Sequence, residues 1–281
     1  MARIYNQDEI TLADGCLCLL PRHSSVLEIG SATGYATRYM TQKMDCTVTC
    51  IEKIPEMAEK CRQYAKNVII ADLETDDWEL ELKEKFDVIM FADVLEHLLH
   101  PDQVLARTIP FLKNGGCFVT SIPNIGHNAI IMSLRNGHFN YQEIGLLDNT
   151  HIHFFTREGI DELFAKNNFY CIAEEDKLIR PCDTEFEQYY LKNAWIALSL
   201  IHKPDAHVYR YVQKWMPMAE KQHSKPMRFN LLQQCFELCY DTACFCKRHL
   251  KMQTPKWFTN YVHKPMMKKD TQRYAKYATK D

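Results

Sequence analysis

The sequence predicts an α/β fold: a Rossmann-like, doubly wound and mostly parallel seven-stranded sheet with helices on both faces. Two observations carry this. Short apolar runs of strand length alternate with amphipathic stretches of helical length along most of the chain. The first run, Val26-Leu27-Glu28-Ile29, breaks into Gly30-Ser31-Ala32-Thr33-Gly34-Tyr35, and Glu52 closes the next run about twenty positions on. Glycines let backbone approach a ligand closely, and a carboxylate can accept two hydrogen bonds from a ribose diol.

The elements follow in order. An amphipathic helix leads in over residues 1–20. Strands are expected at 26–29, 47–51, 67–71, 86–91, 117–121, 169–174 and 207–214. Helices are expected at 34–43, 55–65, 101–113, 157–166 and 187–202. Asn114-Gly115-Gly116 reads as the end of the third of these helices, because all three tolerate positive φ. Residues 123–150, rich in Gly, Asn and His without clear periodicity, read as a long loop or cap. One domain is expected over residues 1–215, with the cap at about 123–156. Residues 216–281 form a basic, aromatic appendage, helical over 229–250.

Bulk composition narrows the function. A chain of 281 residues that is 46% hydrophobic and 25% charged is an ordinary globular protein. No apolar stretch reaches the length of a membrane span, and Met1 to Thr11 lacks a signal-peptide core. The 12 cysteines follow no framework spacing, which suits reduced thiols and a cytoplasmic location. A net charge of −2 argues against a DNA partner. Charge is uneven, however: Lys247 to Asp281 carries ten Lys/Arg against Asp270 and Asp281. With Trp257, Phe258, Tyr261, Tyr274 and Tyr277 interleaved, that stretch suits an anionic acceptor or peripheral contact with a membrane surface.

At this point the chain resembles the class I methyltransferases that use S-adenosylmethionine (SAM), over roughly residues 24–215. Glu28-Ile29-Gly30-Ser31-Ala32-Thr33-Gly34 resembles their first motif, departing from it at Ala32, where glycine is usual. The resemblance implies that Glu28, Gly30, Ala32, Gly34, Tyr35, Glu52, Asp72, Leu73, Ala92 and Asp93 line the SAM site. Glu52 would hold the ribose, Asp72-Leu73 the adenine, and the end of Phe86-Asp87-Val88-Ile89-Met90-Phe91-Ala92-Asp93 the methionine part. Asp93-Val94-Leu95-Glu96-His97-Leu98 stands where methyltransferases of DNA-base amines carry an Asn/Asp-Pro-Pro-aromatic motif, which disfavours that activity. Ser121-Ile122-Pro123-Asn124, Gly145 to His151 and Phe154-Phe155-Thr156-Arg157 resemble bacterial methyltransferases associated with glycosyltransferases of polysaccharide assembly. More distantly they resemble O-methyltransferases of ubiquinone biosynthesis. The implied acceptor is a sugar hydroxyl in a glycan, glycolipid or nucleotide-sugar precursor. The alternatives are a quinone-type phenol, an RNA ribose with metal assistance, or a SAM-binding regulatory module without catalysis.

A hydroxyl is a poor nucleophile at pH 7, so a base or a metal should assist. His151, with Asp148 three residues before it, is the expected base and Asp148 its orienter; His127 and His153 are weaker versions of the same idea. If a helix follows the fourth strand, Asp93, Glu96 and His97 share one face, with His100 nearby before Pro101. Glu96, His97 and His151 are then candidate ligands for Mg²⁺ or Mn²⁺. Cys235, Cys239, Cys244 and Cys246 are too closely spaced for a usual zinc ribbon and read as buried helix residues. Trp195, Trp215, Tyr189 and Tyr190 read as core or domain seam.

Overall fold

The computed structural model describes residues 14–190, 200 and 205–218. These fall into two units. The first comprises residues 14–125, 141–178 and 208–218 of the described chain, with the short lead-in helix α1 (Asp14–Leu19) at its start. Its strands are β1 (Ser25–Ile29), β2 (Thr47–Glu52), β3 (Asn67–Ile70), β4 (Phe86–Ala92), β5 (Leu112–Pro123), β6 (Phe169–Glu174), β7 (Lys177–Leu178) and β8 (Val208–Pro217). Helices α2 (Tyr35–Met44), α3 (Pro55–Cys61), α4 (Pro101–Thr108) and α6 (Arg157–Ala165) connect them; α5 belongs to the second unit.

The strand order is β3-β2-β1-β4-β5-β8-β6, with two-residue β7 pairing β8 off that path. All seven expected strands are therefore present, and β7 is an addition too short to leave a pattern. β1 to β5 pair in parallel. β8 runs antiparallel to both β5 and β6, and so is the reversed strand of an otherwise parallel sheet. Near-continuous apolar runs such as Val26–Ile29 follow from burial on both faces. One face is packed by Leu27, Ile29, Phe91, Phe118 and Trp215; the other by Val26, Val48, Met90, Val119 and Met40.

Several expected boundaries move for physical reasons. The helix expected at 101–113 ends at Thr108, because Pro110 cannot continue it, and a 3-10 turn leads straight into β5. Asn114-Gly115-Gly116 therefore lies inside β5 and caps no helix. Gly115 takes φ 79° where the β4–β5 register shifts. The second helix stops at Cys61 rather than 65. Pro101 opens α4 at its first position, where its missing N–H is no loss.

The second unit, described over 126–140, 179–190, 200 and 205–207, corrects the expected cap. The long loop contains α5 (Asn128–Arg135), capped by His127, whose Nδ1 accepts from the Ala129 amide at 3.2 Å. His127 is fully buried and its Nε2 faces the Ile179 carbonyl at 2.8 Å, so it holds structure and is not a base. The unit also contains α7 (Glu187–Tyr190), where Tyr189 stacks on His138 at 4.6 Å. The expected helices over 1–20 and 187–202 are described only at 14–19 and 187–190. Residues 219–281, with the cysteine cluster and the basic segment, lie outside the described residues, as does Trp195. Among the described residues no helix is long and apolar enough to cross a membrane, and no disulfide links the cysteines.

Candidate active site

Apart from Glu28, which lies within β1, the expected cofactor residues stand at or just after the carboxyl ends of the parallel strands, where open α/β sheets bind ligands. After β1 the chain turns sharply: Gly30, Ala32 and Gly34 all take positive φ, at 71°, 47° and 79°. Ala32 thus occupies a left-handed conformation that costs a non-glycine residue about 1 kcal/mol. Glu52 holds it there, its carboxylate accepting from the Ala32 amide at 2.7 Å and from the Ile54 amide at 2.9 Å. Gly34 has no alternative. A β-carbon there would sit 2.8 Å from Cys61 Cα, and one on Gly30 would sit 2.7 Å from Val94 Cγ2. Backbone packed this closely, with a carboxylate beneath it, is a cradle for a flat or narrow ligand.

Glu28 has a different position from its neighbours. It is 3% exposed and accepts from Thr37 Oγ1 at 2.5 Å, pinning α2 to the strand. Burial pushes its carboxyl up to about 8 from the ordinary 4.5. The unfolded chain releases this proton above pH 4.5 while the folded one keeps it to about 8. Stability therefore falls as pH rises through that window and levels off above it. Glu28→Gln should flatten the slope, raising Tm relative to the parent more at pH 8 than at pH 5 in thermal melts. An equal effect at both pH values would contradict the buried, protonated state.

Asp72 pairs with Lys53 at 2.6 Å, and that hydrogen bond holds its carboxyl below the usual range. Leu73 is buried, and its carbonyl receives Trp78 Nε1 at 3.1 Å and Arg107 Nη1 at 2.6 Å. Arg107, paired with Glu79 and lying over the Trp78 ring, fixes the wall after β3. Tyr35 opens α2 and Ala92 ends β4; both are partly buried.

Beyond β4 the backbone turns at Asp93, with φ 56°. Asp93 accepts from Ser121 Oγ at 2.8 Å and pairs with Arg210 Nη1 at 3.1 Å. Arg210 is a site residue the sequence reading missed; a charge inside the strand run Val208-Tyr209-Arg210-Tyr211-Val212 was its signal. The expected helix after β4 is instead a 3-10 turn, Leu95–His97. Donor atoms of Glu96, His97 and His151 come within 4.8 Å of one another, whereas Asp93 and His100 are not part of that group. The imidazoles of His97 and His151 meet edge to face at 4.9 Å. His151 Nδ1 faces the Leu146 carbonyl at 3.3 Å, while Asp148 Oδ1 accepts from the Thr150 amide at 2.8 Å and its hydroxyl at 2.6 Å. Burial, and then neighbouring His97, hold the His151 pKa below the ordinary imidazole value. His153 turns away, its Nε2 on the Leu99 carbonyl at 3.0 Å.

A family model for a methyltransferase domain matches residues 7–174. The chain belongs to this methyltransferase family. The fold is shared with a SAM-dependent methyltransferase of Thermotoga maritima, at 16% identity over 74% of this chain and 87% of that one (TM-score 0.52). It is shared also with the CcbJ methyltransferase of Streptomyces caelestis, at 13% identity over 76% of this chain and 99% of that one (TM-score 0.51). No curated protein matches the chain. The sequence of turn, Glu52, Asp72 and β4 in this methyltransferase thus stands at the strand ends of a class I fold.

Proposed function

We propose that this methyltransferase takes its methyl group from SAM and delivers it to an oxygen, a sugar hydroxyl of a glycan, glycolipid or nucleotide-sugar precursor. The observation that carries the oxygen acceptor is the group of Glu96, His97 and His151 just beyond the end of β4. Such a group has no task if the acceptor is already a free amine. The sugar class is supported by the likeness of Ser121 to Asn124 and of Gly145 to Arg157 to methyltransferases of polysaccharide assembly. On this reading the protein works in the cytoplasm beside a glycosyltransferase system, with the basic segment after Lys247 meeting anionic acceptor or membrane.

Glu52 would hold the ribose, Asp72 and Leu73 the adenine, and the Gly30–Gly34 backbone with Ala92 and Asp93 the methionine part. SAM supplies an electrophilic methyl on a sulfonium. The chain's own contribution is alignment and proton removal. Acceptor oxygen, methyl carbon and sulfur must lie in line, and positioning of this kind supplies several kcal/mol. As the new oxygen–carbon bond forms and the sulfur–carbon bond breaks, the hydroxyl proton leaves. His151 would activate that hydroxyl. With Nδ1 on a carbonyl it carries hydrogen there, so its lone pair is on Nε2.

Methyl-labelled SAM incubated with the protein and separated glycan, lipid and RNA fractions should label glycan or glycolipid. His151→Ala should lower kcat about 100- to 10,000-fold while leaving S-adenosylhomocysteine affinity unchanged. Label in quinone or RNA would replace the sugar. No label anywhere, with the cofactor bound and His151→Ala without consequence, would leave a regulatory SAM-binding module.

A further inference from the structure

We propose that Glu96, His97 and His151 hold a divalent first-row transition ion of the Mn²⁺ to Zn²⁺ series, placed to carry the acceptor oxygen. The inference rests on the proposed activation at His151 for its catalytic meaning, but not for ion binding itself.

Glu96 is the starting point. Its residue is 1% exposed, and neither carboxylate oxygen has a hydrogen-bond partner. Ionised without donors, such a group is among the costliest side-chain placements; burial holds its proton on, and a cation beside it is the other way to relieve it. Arg210, whose charge acts on Glu96, pairs with Asp93. What does lie beside the Glu96 carboxylate is the pair of imidazoles, with donor atoms of all three residues within 4.8 Å.

Both rings are prepared for ligation. His97 Nδ1 faces the Thr150 carbonyl at 3.1 Å and its hydroxyl at 3.2 Å; His151 Nδ1 faces the Leu146 carbonyl. Backbone oxygens behind the rings fix the tautomer and leave Nε2 basic, the usual arrangement around a metal-bound histidine. The Glu96 carbonyl also accepts from the Ile152 and His153 amides at 2.8 and 3.0 Å. Backbone hydrogen bonds thus clamp the 95–97 turn against the 150–153 segment, so the donors are held on stiff chain.

The donor set selects the ion. Two imidazole nitrogens and one carboxylate suit Mn²⁺, Co²⁺ or Zn²⁺ and poorly suit Mg²⁺, which prefers oxygen throughout. Of the expected pair, Mn²⁺ is retained and Mg²⁺ set aside. Three protein donors leave coordination positions open, as catalytic sites require. In the loaded protein His151 is a ligand. There it would no longer be the base: the ion would lower the pKa of the acceptor hydroxyl, and water would take the proton in place of His151.

The test uses the full chain, stripped with EDTA and dialysed into metal-free buffer. Calorimetric titration with MnCl₂, ZnCl₂ and MgCl₂ should give equimolar uptake of the first two and at least about 100-fold weaker uptake of Mg²⁺. CoCl₂ should give the visible d–d bands of a nitrogen-containing site. Glu96→Gln and His97→Ala should each lower affinity by at least about 10-fold with the circular dichroism spectrum unchanged. No uptake by the folded protein, or uptake indifferent to both variants (an ion held by cysteines of the appendage, for instance), overturns the site. S-adenosylhomocysteine titration of the same samples separates the two readings. Cofactor binding without ion uptake removes only the metal, whereas ion uptake without cofactor binding removes only the methyl transfer.

Discussion

Glu52→Ala should weaken S-adenosylhomocysteine binding about 10- to 150-fold, equivalent to about 1.5–3 kcal/mol. The loss has two sources. A charged acceptor disappears from the end of β2, where the ribose diol would be held. The Ala32 and Ile54 amides also lose the carboxylate they now share. Without that carboxylate the left-handed strain at Ala32 loses the bond that offsets it, so the cradle relaxes as well as losing a contact. Titration calorimetry on the variant, with circular dichroism to confirm folding, measures the effect. Unchanged affinity in the folded variant would remove Glu52 from the cofactor site.

Trp215→Ala should destabilise the fold by about 3–5 kcal/mol, the range for deleting a large aromatic from a packed core. Trp215 is 1% exposed on β8, the strand that joins β5 to β6. Its ring stacks on Phe164 of α6 at 4.1 Å and 9°. Its Nε1 donates to Thr120 Oγ1 at 3.0 Å. Truncation leaves both a cavity and a buried hydroxyl without its donor. Urea unfolding should show the loss as a lower midpoint with little change in slope. A loss below about 1 kcal/mol would mean that β6 and α6 repack around the gap.

The sheet was legible because strands buried on both faces leave nearly unbroken apolar runs, and Val26–Ile29, Val48–Ile51 and Val88–Phe91 are such runs. Strand direction leaves no such trace. The reversal of β8 is decided by the path of the chain, not by its residues. The glycine turn was legible from composition, while its strain at Ala32 depends on the exact backbone path. Helix α5 was missed because histidine is an uncommon N-cap and the preceding Gly-His-Asn composition looks like loop. The spacing of Glu96 and His97 drew attention to them for a reason the structure changes. They come together with His151 through a 3-10 turn and a backbone clamp, not along one helix face. Asp148 was paired with His151 by sequence proximity. Its Oδ1 accepts from Thr150, whose own carbonyl and hydroxyl face His97, so Asp148 reaches both imidazoles' surroundings.

The contact between Gly34 and Cys61 ties the evolvability of two distant positions together. With φ at 79° and Cys61 Cα 2.8 Å from any added methyl, the turn accepts no larger residue while α3 keeps its place. Conversely, a bulkier side chain at 61 presses on the cradle and on its core neighbours Thr37 and Cys50 together. Selection on the ligand and selection on this helix therefore act on one shared volume. A designer altering donor preference would gain room sooner by shortening or re-angling α3 than by varying the glycine loop.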